Sequence, residues 1–329
     1  VGLSGGLDSR MTSWVAHDMG YTNQLNITFS QTGYLDETIA KKIAADLNHE
    51  WLFKALDNGT FLKAIEKINK ITGGNVLYYA SAQVFSFYRY LNFSNLGLLH
   101  TGQLGDVIMS SYSSLPSYKH EFSKLSGAFS KKLQNKIDVN IFREDYSNEE
   151  LFKLNIRGFY GMNMGLIPLQ GFSETYSPFY DIDFMIFSLS LPIDMRFNHR
   201  LYKKWLVSKY PKAAEYIWES KNAKITDRFM SLGNKDVALK NIPIKILQKI
   251  GMVKGVKDTT NSMVPLDYWY QSNSDIRIFQ DEYFKMNIDR IKDKKELHKD
   301  CINNYHNGTG KEKNQVLTLL SVMNIYNLS

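Results

Sequence analysis

The sequence predicts an α/β protein: a parallel sheet flanked by helices, followed by a largely helical C-terminal part. Three observations carry this. Residues 1–10, VGLSGGLDSR, read as the tail of a buried strand, a turn on Gly5 and Gly6, and a helix beginning near Asp8. Strand candidates then alternate with helical stripes through the first hundred residues, the pattern of a parallel sheet with helices on both faces. A further buried strand, Leu96 to Thr101, is again followed by glycines and one carboxylate, Asp106. In such sheets ligands sit beyond the C-terminal strand ends, and both glycine-containing turns fall there.

Ser9 to about His17 reads as the first helix, closed by Gly20. Leu25 to Phe29, apolar and β-branched, reads as a short strand. Ile39, Ile43, Ala44 and Leu47 then recur at helical spacing. Asp36 and Glu37 precede them in the first turn, where acidic side chains complement the helix dipole. Trp51 to Lys54 is the next strand, and Phe61, Leu62, Ile65 and Ile68 mark another helix. Gly73 and Gly74 form a loop before Val76 to Leu91, an apolar and aromatic helix expected to be largely buried. Residues 1–114 thus make an α/β core.

Between 115 and 147 serine, lysine and aromatic residues dominate, with a mild basic run at Lys131, Lys132 and Lys136 and an acidic pair at Glu144 and Asp145. This stretch reads as an insertion over the site, its lysines plainly accounted for as a solvated face. Residues 148–329 are expected to be mainly helical. The pattern places helices over Glu149 to Tyr160, Phe184 to Leu191, Trp269 to Ile291 and, closing the chain, Gln315 to Leu328. Asn303 to Lys313 reads as a polar loop, and 241–257 as a basic, aliphatic excursion.

A helix start leaves backbone N–H groups unpaired and aimed at whatever enters the turn, a natural seat for phosphate. Two adjacent glycines with a flanking serine let the backbone wrap an anion without a Cβ in the way. An ordinary strand-to-helix turn is the plain alternative. The lysine of a Walker A loop is missing, which argues against a kinase or GTPase loop. Asp106, taken alone, reads as a helix cap.

Ser4-Gly5-Gly6-Leu7-Asp8-Ser9 resembles the SGGxDS pyrophosphate loop of the N-type ATP pyrophosphatases, and with Leu7 and the trailing Arg10 it is similar to the synthetase domain of the asparagine synthetase family. The resemblance implies an adenine nucleotide α-hydrolase-like fold, ATP and Mg2+ as cofactors, and a loop that holds the β- and γ-phosphates. Nucleotide contacts are implied at Leu3, Ser4, Gly5, Gly6, Asp8, Ser9, Thr28 and Gly102, with Asp8 also a magnesium ligand. Residues 101–112, TGQLGDVIMSSY, resemble the family's SGEGxDExxxGY segment at Gly102, Asp106 and Tyr112, which implies that Asp106 is the second metal carboxylate. Two departures stand out. Gln103 occupies the place of the first glutamate and Val107 that of the second. A neutral amide cannot act as a general base, and these changes are nearer the β-lactam synthetase branch.

Residues 174–181, ETYSPFYD, resemble the ExRxPFLD segment at Glu174, Pro178, Phe179 and Asp181, with Tyr176 in place of arginine. Glu174 is a candidate for orienting or deprotonating the acceptor; a structural ion pair is its other reading. The helix from Leu201 resembles the one that the family opens with a lysine reaching the α-phosphate. Lys204 is the match, and Lys203 is the alternative at a slip of one residue. A cation placed where charge migrates to the leaving group stabilises the transition state more than the ground state. Lys221, Lys224 and Arg228 have no residue-by-residue match.

The composition, 43% hydrophobic and 22% charged, is that of an ordinary globular protein. A net charge of +7 suits an anionic ligand such as ATP, yet no basic face with interleaved aromatics points to nucleic acid. No apolar run reaches membrane-spanning length. The single cysteine, Cys301, excludes an internal disulfide and suits a reducing compartment such as the cytoplasm. The chain opens on the motif at Val1, where family members normally carry a first strand and a glutaminase domain, so a fragment of a longer parent, or processing, is expected. Family glutamine hydrolysis needs an N-terminal cysteine, for which Cys301 is no substitute.

The expected chemistry joins a small-molecule carboxylate to ammonia or an amine. An asparagine synthase, supplied by an N-terminal or separate glutaminase, is the first expectation. Lactam, macrolactam or glycan- and peptide-precursor amide synthesis is the second, and a degenerate nucleotide-binding or interaction domain the third. Oligomeric state is left open.

Overall fold

The computed structural model describes residues 1–128, 130, 132–142, 145–232, 235–249, 252 and 262–328. Lys131, Glu144 and most of the last third of 241–257 therefore lie outside the described residues.

Strands β1 (Leu25–Ser30) and β2 (Glu50–Ala55) pair in parallel, Leu25 opposite Glu50 and Ser30 opposite Ala55. β3 (Leu99–His100) and β4 (Thr175–Tyr176) form a second parallel ladder. The opening residues run between the two ladders. Gly2 bridges Ile27 in parallel and donates its N–H to His100 O at 2.9 Å, while Leu3 donates to Ile27 O at 2.9 Å. The expected parallel α/β arrangement is thus present as small ladders rather than one large sheet. Two short antiparallel pairs, Ile217–Trp218 with Ala223–Lys224 and Phe229–Leu232 with Lys235–Ala238, were not foreseen from the sequence. β3 is shorter than the apolar run suggests, and a 3-10 turn over Phe93–Asn95, capped by Asn92 accepting the Ser94 N–H, precedes it.

Helices α1 (Leu7–Asp18), α2 (Leu35–Asp46), α3 (Ile65–Thr72) and α4 (Tyr78–Tyr88) follow the predicted order. α5 (Gly105–Met109) is a single short turn after β3. Among the described residues the insertion contains 3-10 turns over Lys124–Gly127, Gln134–Lys136 and Val139–Ile141, and it is followed by α6 (Glu149–Lys153) and a π-turn over Leu154–Phe159. Then come α7 (Ile182–Ser190) and α8 (Arg200–Lys209).

The closing helices differ from expectation in instructive ways. Trp269 to Ile291 is not one helix but α9 (Leu266–Ser272) and α10 (Ser274–Asn287), because the Asn273 side chain accepts the N–H groups of Asp275 and Ile276 and starts a new helix. The stretch read as a polar loop, Asn303 to Lys313, is instead the end of α11 (Lys295–Asn307) and the start of α12 (Gly310–Ile325), which begins earlier than its apolar stripe. A capping box explains that start: Thr309 and Glu312 reciprocally satisfy each other's backbone N–H.

The largest core joins the two ends of the chain. Phe61, Ile65 and Tyr78 pack with Trp269, Tyr305 and Leu317, and Trp269 donates its indole N–H to Asp57 O at 2.9 Å. A second core sets Leu7 and Met11 of α1 against Tyr202 and Leu206 of α8. The α8 contact matters most for the site, because it fixes the helix that begins at the first glycine turn. Among the described residues no helix is long and apolar enough to cross a membrane.

Candidate functional site

The two glycine-containing turns meet. A Cβ on Gly102 would lie 2.4 Å from Ser9 N, and one on Gly105 would lie 2.7 Å from Asp8 Cγ, so the second turn packs against the first only because both positions lack a side chain. This contact brings Asp8 and Asp106 together at the C-terminal ends of the opening segment and β3. The Asp106 N–H supports the Asp8 carboxylate.

That support is incomplete. Burial, then the charge of Asp106, pushes the Asp8 carboxyl well above its ordinary pKa. The Tyr202 hydroxyl faces Asp8 and favours its charged form, yet neither that hydroxyl nor Asp8 Oδ1 closes a hydrogen bond of normal geometry. Asp106 is exposed by area but walled on most sides, and its carboxyl is also raised, chiefly by desolvation, with Arg157 opposing the shift. Two coupled carboxylates, one with a covered and unpartnered oxygen, form a site that a hard cation with oxygen ligands fits. No group of three or more His, Cys, Asp or Glu side chains able to hold a metal ion occurs among the described residues.

The first turn is internally bonded. Ser4 N–H donates to Ser9 Oγ at 3.1 Å, the two serine hydroxyls lie 2.8 Å apart, and Gly6 N–H donates to Ser4 Oγ at 3.2 Å. Hydroxyls rotate, so these bonds yield readily to an anion. Gly5 N–H is held differently, by Asp36 Oδ1 at 2.7 Å. Asp36 is buried, and desolvation, with the charge of Glu219 adding to it and the Gly5 N–H opposing, lifts its carboxyl to about 6.

The predicted contacts fall into two sets. Ser4, Gly5, Gly6, Asp8, Ser9 and Gly102 gather at the turns. Leu3 and Thr28 lie beneath them in packed surroundings: Leu3 is in the core with Ile39 and Ile43, and the Thr28 hydroxyl donates to Leu3 O at 2.8 Å while accepting from Trp51 Nε1 at 3.0 Å. Gln103 is close in chain to Asp106, with its side-chain amide donating to Met162 O at 2.7 Å and its backbone carbonyl accepting from Ser177 Oγ at 2.9 Å. Leu104 has a left-handed backbone, φ 61°, and packs with Val107, Leu154 and Phe179.

Glu174 is not brought to this group. It is exposed at the start of β4, and its carbonyl accepts from Leu99 N–H, at the end of the ladder opposite Ser177 and Gln103. Lys204 is exposed. Lys203 is half-buried, lies 3.5 Å from Asp236 and sits over the Phe229 ring. His199 begins α8 with φ 59° and is surrounded by protein; burial, Lys203 and Lys221 lower its pKa to about 4, which keeps the imidazole neutral.

Tyr202, Arg157, Asp36 and His199 border the site without having been identified from the sequence as site residues. Only Asp36 carried a signal there, in the acidic pair of α2; the others depend on long-range packing. An open apolar cavity of about 1170 Å³ lies behind Met109, Phe179 and Tyr202. Neither Asp8 nor Asp106 nor the Ser4–Gly6 turn lines it, so it is separate from the two glycine turns.

No curated protein matches the chain. The sequence model of the asparagine synthase family matches residues 1–157, which span both glycine turns, Asp8 and Asp106. Residues 1–157 therefore form an asparagine-synthase-like domain of the PP-loop kind.

Proposed function

We propose that the chain is an ATP-dependent amide-forming ligase. A substrate carboxylate oxygen attacks the α-phosphorus of ATP, the bond to the β-phosphate oxygen breaks, and pyrophosphate leaves an acyl-adenylate. A nitrogen nucleophile then attacks the acyl carbon, AMP departs, and the nitrogen gives up a proton. The observation that supports this reading is the buried Asp8 carboxylate with an unpartnered oxygen, set beside Asp106 at the meeting of two glycine turns.

Asp8 and Asp106 would hold Mg2+, which would supply charge neutralisation for the departing pyrophosphate. The protein's own part is to orient: the Ser4–Ser9 turn receives phosphate oxygens, and Tyr202 and Arg157 set the charge balance around the two carboxylates. Of the two lysines, Lys203 is the stronger candidate for the α-phosphate, since it is half-buried beside His199 while Lys204 points to solvent. Glu174 carries no assigned step in this reading.

Aspartate, with ammonia or a glutaminase as nitrogen source, is one acceptor pairing. A different carboxylate and amine is the other, and Gln103 favours it: a neutral amide already bonded to Met162 O cannot deprotonate an incoming nitrogen. Pyrophosphate release from MgATP across a panel of carboxylates, with ammonia, glutamine and amines, tests both. Release dependent on aspartate with asparagine formed supports the first pairing, and release with another carboxylate the second. Absence of release and of MgATP binding by the folded chain overturns the ligase reading.

A further inference from the structure

The Gly5 peptide is gripped on both sides by groups that are not part of the turn. Its N–H donates to Asp36 Oδ1 at 2.7 Å, a buried contact to the first turn of α2. Its carbonyl accepts from Arg10 Nη2 at 3.0 Å and from Glu219 N–H at 3.1 Å. Arg10 is fully buried, and the same guanidinium donates to Ala213 O at 3.0 Å and Ile217 O at 2.6 Å. The Glu219 carboxylate in turn accepts from the Tyr34 hydroxyl, one residue before α2.

This grip differs in kind from the serine bonds in the same turn. A buried ionisable acceptor at 2.7 Å makes a charge-assisted hydrogen bond, about twice the strength of a neutral one. It is also a carboxylate beneath a loop meant for anions, where its charge works against the ligand and against its own burial. A group retained at that electrostatic cost acts on geometry: it fixes the direction of the first peptide of the turn, so that the N–H groups from Gly6 onward face the incoming phosphates.

We infer that Asp36 is a positioning residue for the nucleotide site, which locks the Gly5 peptide through its N–H and thereby withholds that N–H from the phosphates. This rests on the ligase reading for the identity of the anion, but the lock itself belongs to the free protein. Asp36→Asn keeps an acceptor oxygen in place, whereas Asp36→Ala removes it. With MgATP as the probe, Asp36→Ala is expected to raise the KM for ATP about tenfold or more with a smaller change in kcat, as loss of an oriented binding contact does, and Asp36→Asn to stay within about threefold of the wild type. Equal KM for wild type and Asp36→Ala, or an Asp36→Asn as impaired as Asp36→Ala, overturns the assignment.

Backbone amide exchange on the unmodified protein covers the case in which Asp36→Ala fails to fold. The Gly5 amide should be protected before nucleotide is added and unchanged afterwards, while Gly6 to Ser9 gain protection with MgATP. A Gly5 amide that exchanges freely until MgATP arrives overturns the inference. If the ligase reading alone fails, Gly5 protection persists in the free protein and MgATP changes no amide in the turn.

Discussion

Two pairs of acidic residues differ in how their charge is met. Glu149 and Glu150 begin α6, and every oxygen they carry has a partner. Glu149 accepts from Ser114 N–H at 2.6 Å and Ser114 Oγ at 2.7 Å, with His120 at 3.1 Å and Lys153 at 2.5 Å. Glu150 forms a two-pronged pair with the buried Arg196, Oε1 to Nη1 at 2.8 Å and Oε2 to Nη2 at 2.7 Å, and Tyr118 adds a third bond. Asp8 and Asp106 instead face each other with an oxygen left over. A saturated acidic pair holds the fold together; an undersaturated one holds a place for something with positive charge.

This contrast can be broken by exchanging carboxylates for amides. Glu150→Gln strips the counter-charge from buried Arg196 and should cost about 3–5 kcal/mol in chemical denaturation, with activity per folded molecule unchanged. Asp8→Asn should do the reverse. It is expected to lower pyrophosphate release about 100-fold or more while raising the metal-free melting temperature at neutral pH, because the mutation deletes an uncompensated charge. An Asp8→Asn protein that melts lower than wild type without metal would erase the distinction between the two pairs.

Acid sharpens it further. Glu149 is buried, which alone would raise its pKa, but its bonds to Lys153, Ser114 and His120 overcome this and hold it at about 2, below its ordinary 4.5. Its stabilisation is therefore present above pH 4.5 and fades as pH falls toward 2. Asp36 has the opposite sign: raised from 3.8 to about 6, it costs stability as pH rises through that interval. In melting curves against pH, Glu149→Gln should be destabilised at pH 7 and converge with wild type near pH 2. Asp36→Asn should be stabilised above pH 6 and match wild type below 3.8. The smallest effect belongs to the exposed Lys204: Lys204→Ala is expected to shift stability by less than about 0.5 kcal/mol and activity less than Lys203→Ala does.

The order of β1, β2 and the first four helices was legible because local period and turn residues agree with the tertiary arrangement. Asp8 and Asp106 could be selected as a pair only through the resemblance of their two turns to the family's segments, since Asp106 taken alone reads as a helix cap. Where reading failed, long-range or side-chain capping contacts decided the outcome. Asn273 divides one apolar run into two helices, and Thr309 with Glu312 starts α12 inside what reads as loop. Tyr202 has no local mark as a neighbour of Asp8, since packing of α8 on α1 brings it there. Two lysines of the insertion, Lys132 and Lys136, are exposed as a solvated face requires and also reach the closing helices: Lys132 pairs with Glu312 at 3.1 Å and Lys136 with Asp300 at 2.7 Å.

The reach of Arg10 bears on where this protein can be cut. The match to the asparagine synthase family model ends at residue 157, yet the guanidinium that steadies the first glycine turn donates to the carbonyls of Ala213, Tyr216 and Ile217. A polypeptide ending at 157 would take those acceptors from Arg10 and strip Leu7 and Met11 of Tyr202 and Leu206. The end of that match is thus not the end of the contacts that hold the turn in shape, which reach Glu219, whose N–H donates to Gly5 O.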